Sequence, residues 1–264
     1  MTFDQYIRCA SDQDTLTADP GWAQGRTTVG GLSAALALTR MQQQAGQLPL
    51  RSVSLSFCAP LTTDIPFSIN GQILQAGRSV THIESSIIQN AQLCVRLNAC
   101  YGQQRDSAIR VAQPHPPAGA AGDGQRMPFI RGITPEFTRH TELAFVSGGL
   151  PFSNSPHDHL RGWMRFREGN TAMTSAHVVA LTDAWPPVML QKLSTPSPCA
   201  TVTWNMELIT PPEQLPTPLR STDWLWYEAD IRHAHDGYGH TEARIVSPDG
   251  TLLAISRQLV VIYG

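Results

Sequence analysis

Asp183 is the residue whose type and position best suit acid–base chemistry. It lies in the last turn of an otherwise apolar helical stretch, TSAHVVALTDAW (Thr174–Trp185), which Pro186 and Pro187 end. A helix C-terminus carries partial negative charge, and an acid in such an apolar setting has a raised pKa. A raised pKa suits a general base. The competing interpretation is an exposed Asp at a helix end, bonded to local backbone.

Gln258 and Thr201 are polar residues on two predicted strands. In TLLAISRQLVVIYG, side-chain alternation places Gln258 on the same face as Ala254 and Val260, where it must find hydrogen-bond partners. Gln can orient a water molecule but cannot take its proton, and a core Gln bonded to backbone is the alternative. Alternation groups Thr201 with Thr203, facing away from the local core. It could still line a cleft between the halves, or a bulge could turn it; otherwise it is an ordinary strand threonine.

Gly30-Gly31 precede a helical stretch in the first half of the chain. Two glycines allow close backbone approach, and free N–H groups at a helix N-terminus suit a developing oxyanion. The alternative is a tight helix entry with close packing. Ser33 follows in GLSAA, which lacks the final Gly of a nucleophile elbow and has no βα repeat around it. The sequence therefore argues against a serine hydrolase.

Two histidine pairs have spacings that place both rings on one strand face. They are His157-x-His159 and His233-x-His235. No third ligand stands at a spacing typical of zinc sites, so both pairs are interpreted as surface histidines. We expect no metal and no cofactor.

Composition and charge narrow the class of protein. Of the 264 residues, 41% are hydrophobic and 15% are charged, which is typical of a globular chain, and the net charge of −2 offers no basic excess for nucleic acid. The five cysteines are odd in number and form no C-x-x-C pair, which indicates a reducing compartment. Residues Met1 to Asp14 lack the apolar core typical of a signal peptide, and no apolar run approaches the length that a membrane span requires. We therefore expect a cytoplasmic protein without a nucleic-acid or membrane partner.

A Pro-, Gly- and Ala-rich stretch, QPHPPAGAAGDGQR, has linker composition and occupies residues 113–126. It separates residues 1–112 from residues 127–264. The first segment contains a short possible strand near Thr15–Ala18, then a helix over Leu32–Gln44, stopped by Gly46, and four strand-like runs. The second repeats this order, with a strand over Arg161–Glu168 before its helix and four strand-like runs after it.

This repeated order predicts the fold class. Strands that follow a single helix indicate α+β rather than alternating βαβ units. The first helix is apolar on most of its circumference and should be buried on several sides. A long antiparallel sheet wrapped around one apolar helix is the hotdog arrangement, and its duplication predicts a double hotdog in which the first half is a diverged copy of the second.

Short motifs occur in a characteristic order in both halves. They are Gly30-Gly31, the strand LRSVSLSF, the turn Gly77-Arg78-Ser79, helical Leu181-Thr182-Asp183, Ala200-Thr201-Val202, Asp249-Gly250, and Ala254 to Gln258. With these motifs the chain, from about Trp22 to Tyr263, resembles the acyl-CoA thioesterase II family of double-hotdog hydrolases. The chain departs from the family's pattern at two places, and both departures bear on which substrate is preferred. Leu259-Val260 replace the family's acidic residue and Gly, and VTWNMEL replaces a His-containing strand.

The resemblance implies an active site in which an Asp, a Thr and a Gln hold and activate a water molecule. By matched position these residues are Asp183, Thr201 and Gln258. The implied reaction is hydrolysis of an acyl-CoA thioester to a free acid and CoA, within fatty acid metabolism. CoA is then part of the substrate, and backbone amides near Gly31 would polarise the thioester carbonyl. Family resemblance also suggests a homo-oligomer.

Two alternatives stay open at this point. A hotdog dehydratase or hydratase acting on acyl thioesters would require a His beside the helical acid. His177 lies six residues before Asp183, on the far side of the helix, which argues against that reaction. The departure after Gln258 leaves open a non-catalytic hotdog protein that binds acyl-CoA.

Overall fold

The computed structural model of the protein describes residues 1–112 and 115–263. Within them lie the helices α1 (Phe3–Asp12), α2 (Gly30–Ala45) and α3 (Ser175–Thr182). The strands are β1 (Thr15–Thr17), β2 (Ala23–Gln24), β3 (Thr27–Thr28), β4 (Leu50–Phe57), β5 (Pro66–Ala76), β6 (Val80–Gln89), β7 (Gln92–Gly102), β8 (Gln125–Arg126), β9 (Thr141–Ser147), β10 (His159–Phe166), β11 (Cys199–Leu208), β12 (Leu225–His235), β13 (Tyr238–Val246) and β14 (Leu252–Ile262).

Twelve of these strands form one antiparallel sheet. Its order is β1-β5-β6-β7-β4-β11-β14-β13-β12-β10-β9-β8, and β2 and β3 form a separate small ribbon. The predicted α+β class is confirmed by this sheet and its packed helices. The order is symmetric about the β4–β11 pair, since β7, β6, β5 and β1 on one side correspond to β14, β13, β12 and β10 on the other.

The irregularities of the sheet follow the same symmetry. The ladder between β4 and β7 shifts register between Leu50 and Ser52, and the ladder between β11 and β14 shifts between Thr201 and Thr203. Matching shifts occur at Ile73/Gln75 and Ile231/His233, and at Ile87/Ile88 and Ile245/Val246. Corresponding strands in the two halves therefore carry their extra residues at corresponding places.

Helix α2 is the apolar centre of the first half. It packs against β4, β5, β6 and β7 on its sheet side and against α3 on another. Residues Ala34 to Ala37 of this helix each have a relative exposure of 0%, which agrees with the expectation that the helix is buried on several sides. The predicted stop is confirmed at Gly46, whose positive φ of 66° suits a residue without a Cβ.

Helix α3 is shorter than the predicted Thr174–Trp185. Thr174 forms its N-cap in a capping box with His177, and Asp183 is its C-cap. The helix ends at Thr182, short of Trp185, whose α conformation is disfavoured by the following Pro186. Asp183 therefore stands at the helix end rather than inside the last turn.

Helix α1 was not predicted from the sequence. Its inward face carries Phe3, Asp4 and Tyr6, and Phe3 stacks on Phe166 of β10 with ring centroids 4.4 Å apart. The Asp4 carboxylate accepts a hydrogen bond from His177 Nε2 over 3.0 Å. The first helix is thereby anchored to elements of the second half.

The predicted linker is partly structured. Its first two residues, 113 and 114, lie outside the described residues. Its last two, Gln125 and Arg126, form β8 and pair with Phe145 and Ala144 of β9, an edge strand that the sequence pattern did not predict. None of the described helices is long and apolar enough to span a membrane.

Candidate active site

A cavity of about 490 Å³ opens where the N-terminus of α2 meets the C-terminus of α3. Both halves of the chain line it. Its walls include Gly30, Ser33 and Phe57 from the first half and Asp183, Thr201 and Gln258 from the second. The residues singled out from the sequence for chemistry therefore meet at one cavity, apart from Gly31, which lies behind it against Asp183.

The Asp183 carboxylate is held at both oxygens. The backbone N–H of Gly31 donates to Oδ2 over 2.6 Å, and the Gln258 side-chain amide donates to Oδ1 over 3.2 Å. Gly31 lies in the first turn of α2, so the carboxylate also lies at the positive end of a 16-residue helix. The arrangement fixes an acid in place without a positively charged side chain.

The two glycines at the start of α2 let the helices approach this closely. A Cβ on Gly31 would lie 2.7 Å from the carbonyl oxygen of Ala180, in the backbone of α3. A Cβ on Gly30 would lie 2.9 Å from the Phe57 ring and 3.0 Å from Asp183 Oδ2. Any side chain at either position would therefore displace the carboxylate or the helix that carries it.

Burial raises the pKa of Asp183 to about 6, and the hydrogen bonds from Gly31 and Gln258 offset part of that effect. Two causes of a raised pKa were expected from the sequence, the apolar setting and the negative end of α3. Burial agrees with the first, whereas the second does not account for the shift, because the carboxylate faces the positive end of α2. At neutral pH such an acid is ionised yet still basic enough to accept a proton.

Thr201 lies on the opposite face from the one that simple alternation predicts. In the β11–β14 ladder Thr201 pairs with Val260 and Thr203 pairs with Leu259, so Val202 is an extra residue. This bulge reverses the alternation, because directly opposed residues point to the same face. Thr201 thus shares the face of Val260 and Gln258, and it lines the cavity.

The sequence-based role of the Gly31 amide needs correction. We expected amides near Gly31 to polarise a thioester carbonyl, but the Gly31 N–H donates to Asp183 instead. Gly30 remains at the cavity wall as the first residue of α2, where helix geometry gives its N–H no intrahelical acceptor. Ser33 donates to the carbonyl oxygen of Gly30 over 2.8 Å, so its hydroxyl is used within the helix.

No histidine among the described residues lines the Asp183 cavity. Among the described residues no group of three or more His, Cys, Asp and Glu side chains could hold a metal ion. His177 is 2% exposed and bonds to Asp4, on the side of α3 away from the Asp183 cavity. That position agrees with the sequence argument that His177 is not a partner of Asp183.

Several cavity residues were not found from the sequence. Phe57 lies at the cavity wall and packs against Gly30. Cys58 and Cys199 also line the cavity. Aromatic and cysteine residues in apolar runs are far more often core than site residues, so no local signal distinguished them.

Comparison with protein families gives two matches that together span most of the chain. Residues 18–102 match the N-terminal domain of acyl-CoA thioesterases, and residues 112–262 match their C-terminal domain. A comparison with curated proteins finds no similar sequence.

Solved structures show the fold. A hot dog protein of unknown function from Alicyclobacillus acidocaldarius has 22% identity and a TM-score of 0.83, covering 98% of each chain. A putative thioesterase II from Thermobifida fusca has 19% identity and a TM-score of 0.79, covering 98% of this chain and 97% of that one. An acyl-CoA thioesterase II from Mycobacterium marinum has 14% identity and a TM-score of 0.75, covering 97% and 98%.

The sheet and its buried helices are thus those of a hot dog fold. The second of the two family matches alone covers more than half of the chain and contains Asp183, Thr201 and Gln258. The protein belongs to the acyl-CoA thioesterase family.

Proposed function

We propose that the protein hydrolyses acyl-CoA thioesters to a free acid and CoA, with Asp183 as the general base. The observation that carries this proposal is the Asp183 carboxylate, fixed by Gly31 and Gln258 at the wall of a cavity that Thr201 also lines. Membership of the acyl-CoA thioesterase family supports the substrate class.

In this mechanism a water molecule lies between Asp183, Thr201 and Gln258. Asp183 takes one proton from the water while the water oxygen attacks the thioester carbonyl carbon. The resulting tetrahedral intermediate collapses with cleavage of the C–S bond, and the proton on Asp183 passes to the leaving sulfur of CoA. The base is regenerated, and neither a metal ion nor a covalent intermediate is needed.

Thr201 and Gln258 position the water and the base. The Thr201 hydroxyl can donate to one lone pair of the water, whose two O–H groups point to Asp183 and Gln258, and this leaves the other lone pair for attack on the carbonyl carbon. Gln258 donates to Asp183 and keeps its amide oxygen for the water. Neither side chain can serve as the base, so each orients the reactants for Asp183.

Gly30 is our candidate for the group that binds the oxyanion. Its N–H belongs to the first turn of α2, which points at the cavity, and a helix N-terminus favours developing negative charge. Gly31 takes the separate role of holding the base. The apolar walls near Phe57 and Trp185 would receive the first carbons of the acyl chain.

We also propose that the fold is a double hotdog. The symmetric strand order and the matching register shifts support two units that correspond to residues 1–112 and 127–264, joined by residues 113–126. The glycines then come from one unit and Asp183, Thr201 and Gln258 from the other. In our proposal the protein acts in the cytoplasm as a homo-oligomer and requires no cofactor.

The experiment that tests this function is an assay with acyl-CoAs of increasing chain length. Cys58 is exposed and would react with thiol reagents, so the released acid should be quantified by chromatography rather than the CoA thiol. Release of free acid supports the proposal. Formation of a 3-hydroxyacyl-CoA from an enoyl-CoA would indicate a hydratase, and binding without turnover would indicate a non-catalytic protein.

A further inference from the structure

A second cavity, of about 690 Å³, lies at the opposite ends of the same two helices. It opens where the C-terminal part of α2 meets the N-terminus of α3. Its walls include Leu38, Thr39, Leu50, Tyr101, Ala176 and Glu213. None of these residues belongs to the Asp183 cavity.

The strand registers relate this cavity to the candidate active site. Leu50 pairs with Tyr101 just before the bulge of the β4–β7 ladder, as Thr201 pairs with Val260 just before the bulge of the β11–β14 ladder. Leu50 therefore corresponds to Thr201. The second cavity is the counterpart of the first under the pseudo-twofold symmetry of the sheet.

The catalytic side chains have no counterparts there. Counted from the first residue of each helix, Leu38 corresponds to Asp183. Two residues before Tyr101 lies Ala99, which corresponds to Gln258, two residues before Val260. The acid, hydroxyl and amide of the first site are thus replaced by Leu38, Leu50 and Ala99, which cannot activate water.

Polar groups at other positions of the second cavity suit a ligand. The Tyr101 hydroxyl is buried and has no hydrogen-bond partner among the described residues, an arrangement that costs free energy unless a ligand supplies an acceptor. Glu213 accepts hydrogen bonds from the backbone N–H and the hydroxyl of Ser175. Burial, and then the charge of Glu213, raise the pKa of Tyr101, so the phenol stays a donor.

The Tyr101 phenol can donate a hydrogen bond to an amide carbonyl, and the Glu213 carboxylate can accept one from an amide N–H. Leucines beside them suit an apolar chain that carries such amides. The pantetheine arm of CoA carries such amides, each with one carbonyl acceptor and one N–H donor. The exposed residues that line the cavity include Gln43 and Gln47, which carry no charge to bind the phosphates of CoA, so we expect its nucleotide to stay in solvent. A fatty acid anion fits less well, because its carboxylate would meet Glu213.

We propose that the second cavity binds the acyl-pantetheine arm of a second acyl-CoA molecule and does not hydrolyse it. A pantetheine amide carbonyl accepts from Tyr101, an amide N–H donates to Glu213, and the acyl chain lies among Leu38, Leu50 and Ala176. The ligand class rests on the function proposed above, whereas the existence of the site rests on the cavity and on Tyr101.

The test is calorimetric titration with a 2-oxoalkyl-CoA thioether, which has a methylene between carbonyl and sulfur and cannot be hydrolysed as a thioester. We expect two molecules bound per chain. Thr39→Trp should fill the second cavity and Thr201→Trp the first, and each should reduce the stoichiometry to one. Free fatty acid of the same chain length should not compete in Thr201→Trp.

Tyr101→Phe separates binding from folding. Because the hydroxyl is unpartnered in the free protein, its removal should leave the melting temperature equal or higher. Affinity at the second cavity, measured in the Thr201→Trp background, should fall about 3- to 10-fold, the worth of one hydrogen bond. Hydrolysis at low substrate concentration by Tyr101→Phe alone should be unchanged.

The outcomes distinguish this inference from the proposed function. If one molecule binds per chain, and this binding is lost in Thr201→Trp but kept in Thr39→Trp, the second site is refuted. The assignment of the active site is then unaffected. One molecule lost only in Thr39→Trp would overturn the assignment of the Asp183 cavity and support the second site. Equal affinity of Tyr101→Phe and wild type at the second cavity would overturn the role of Tyr101.

Discussion

The backbone N–H of Gly31 donates a 2.6 Å hydrogen bond to Oδ2 of Asp183 and so joins the start of α2 to the end of α3. This bond fixes the carboxylate at the positive end of a helix, which favours its ionised form. Burial acts in the opposite direction and raises the pKa to about 6. Together the two effects give an acid that is held rigidly and is still basic.

Gly31→Ala should damage activity and stability together. The added Cβ would lie 2.7 Å from the Ala180 carbonyl oxygen and 2.9 Å from Asp183 Cβ, so the helices must separate. Overpacking of this kind costs about 1–3 kcal/mol, and we expect turnover to fall at least about tenfold because the base is misplaced. Steady-state kinetics and thermal melting check this. Gly102→Ala is the control, because its Cβ would first meet the flexible Arg51 side chain, 3.2 Å away. Normal turnover in Gly31→Ala would refute the role of Gly31 in positioning the base.

The pH dependence of kcat/KM should report the ionisation of Asp183. A general base is active when deprotonated, so the rate should fall about tenfold per pH unit below pH 6 and level off above it. The folded-state pKa of Asp183 lies above the ordinary aspartate value of 3.8, so the stability that its protonated form contributes is lost as pH rises through about 6. A profile that is flat from pH 5 to 8, or one that bends near 4, would contradict this assignment.

Thr201→Val should reduce turnover by about 3- to 30-fold, since it removes a hydroxyl that positions water and keeps the side-chain shape. The matched control is Thr203→Val, on the same strand but on the other side of the bulge. Thr203 faces away from the cavity and should tolerate the change. Equal rates for both variants would show that the bulge does not bring Thr201 into the chemistry.

Asp4→Asn should destabilise the protein without lowering turnover per folded molecule. Burial opposes ionisation of Asp4, but hydrogen bonds from His177, Asn170 and Thr171 outweigh it and hold its pKa well below its usual value. Removing one partner of such a buried network typically costs about 3–5 kcal/mol. Denaturant unfolding at pH 7 measures this loss. Asp12→Asn, at the exposed end of the same helix, serves as the control and should be neutral.

Periodicity and turn residues were sufficient to predict the α+β class, helix α2 and its stop at Gly46, and the placement of Asp183 close to the C-terminus of α3. Thr201 was assigned to the wrong face because a bulge leaves no signal in the alternation itself. The hydrogen bond that the Asp183 carboxylate accepts from Gly31 also could not be predicted from the sequence. The bond from Gly31 joins residues 152 apart in sequence, and only the packing of α2 on α3 brings them together.

Helix α1 had a signal that could have been used. Thr2 and Gln5 form a capping box, and Phe3, Tyr6 and Ala10 recur at helical spacing. The segment also contains Asp4, whose partner His177 was interpreted only with respect to Asp183. The contact between them depends on the docking of α1 beside α3, which local patterns do not encode.

Asp183→Asn is the variant that shows whether Asp183 is the general base. The Asn keeps an acceptor for Gly31, and a flipped Gln258 amide can accept from its new NH2 group. Turnover and melting temperature should be measured at pH 8 on the same purified variant, with Asp158→Asn, an exposed acid, as the control. We predict that turnover falls by about 10²–10⁴-fold. The melting temperature should be equal or higher, because an ionised carboxylate is no longer buried. Normal turnover with a lower melting temperature would show that Asp183 is a structural residue and not the base.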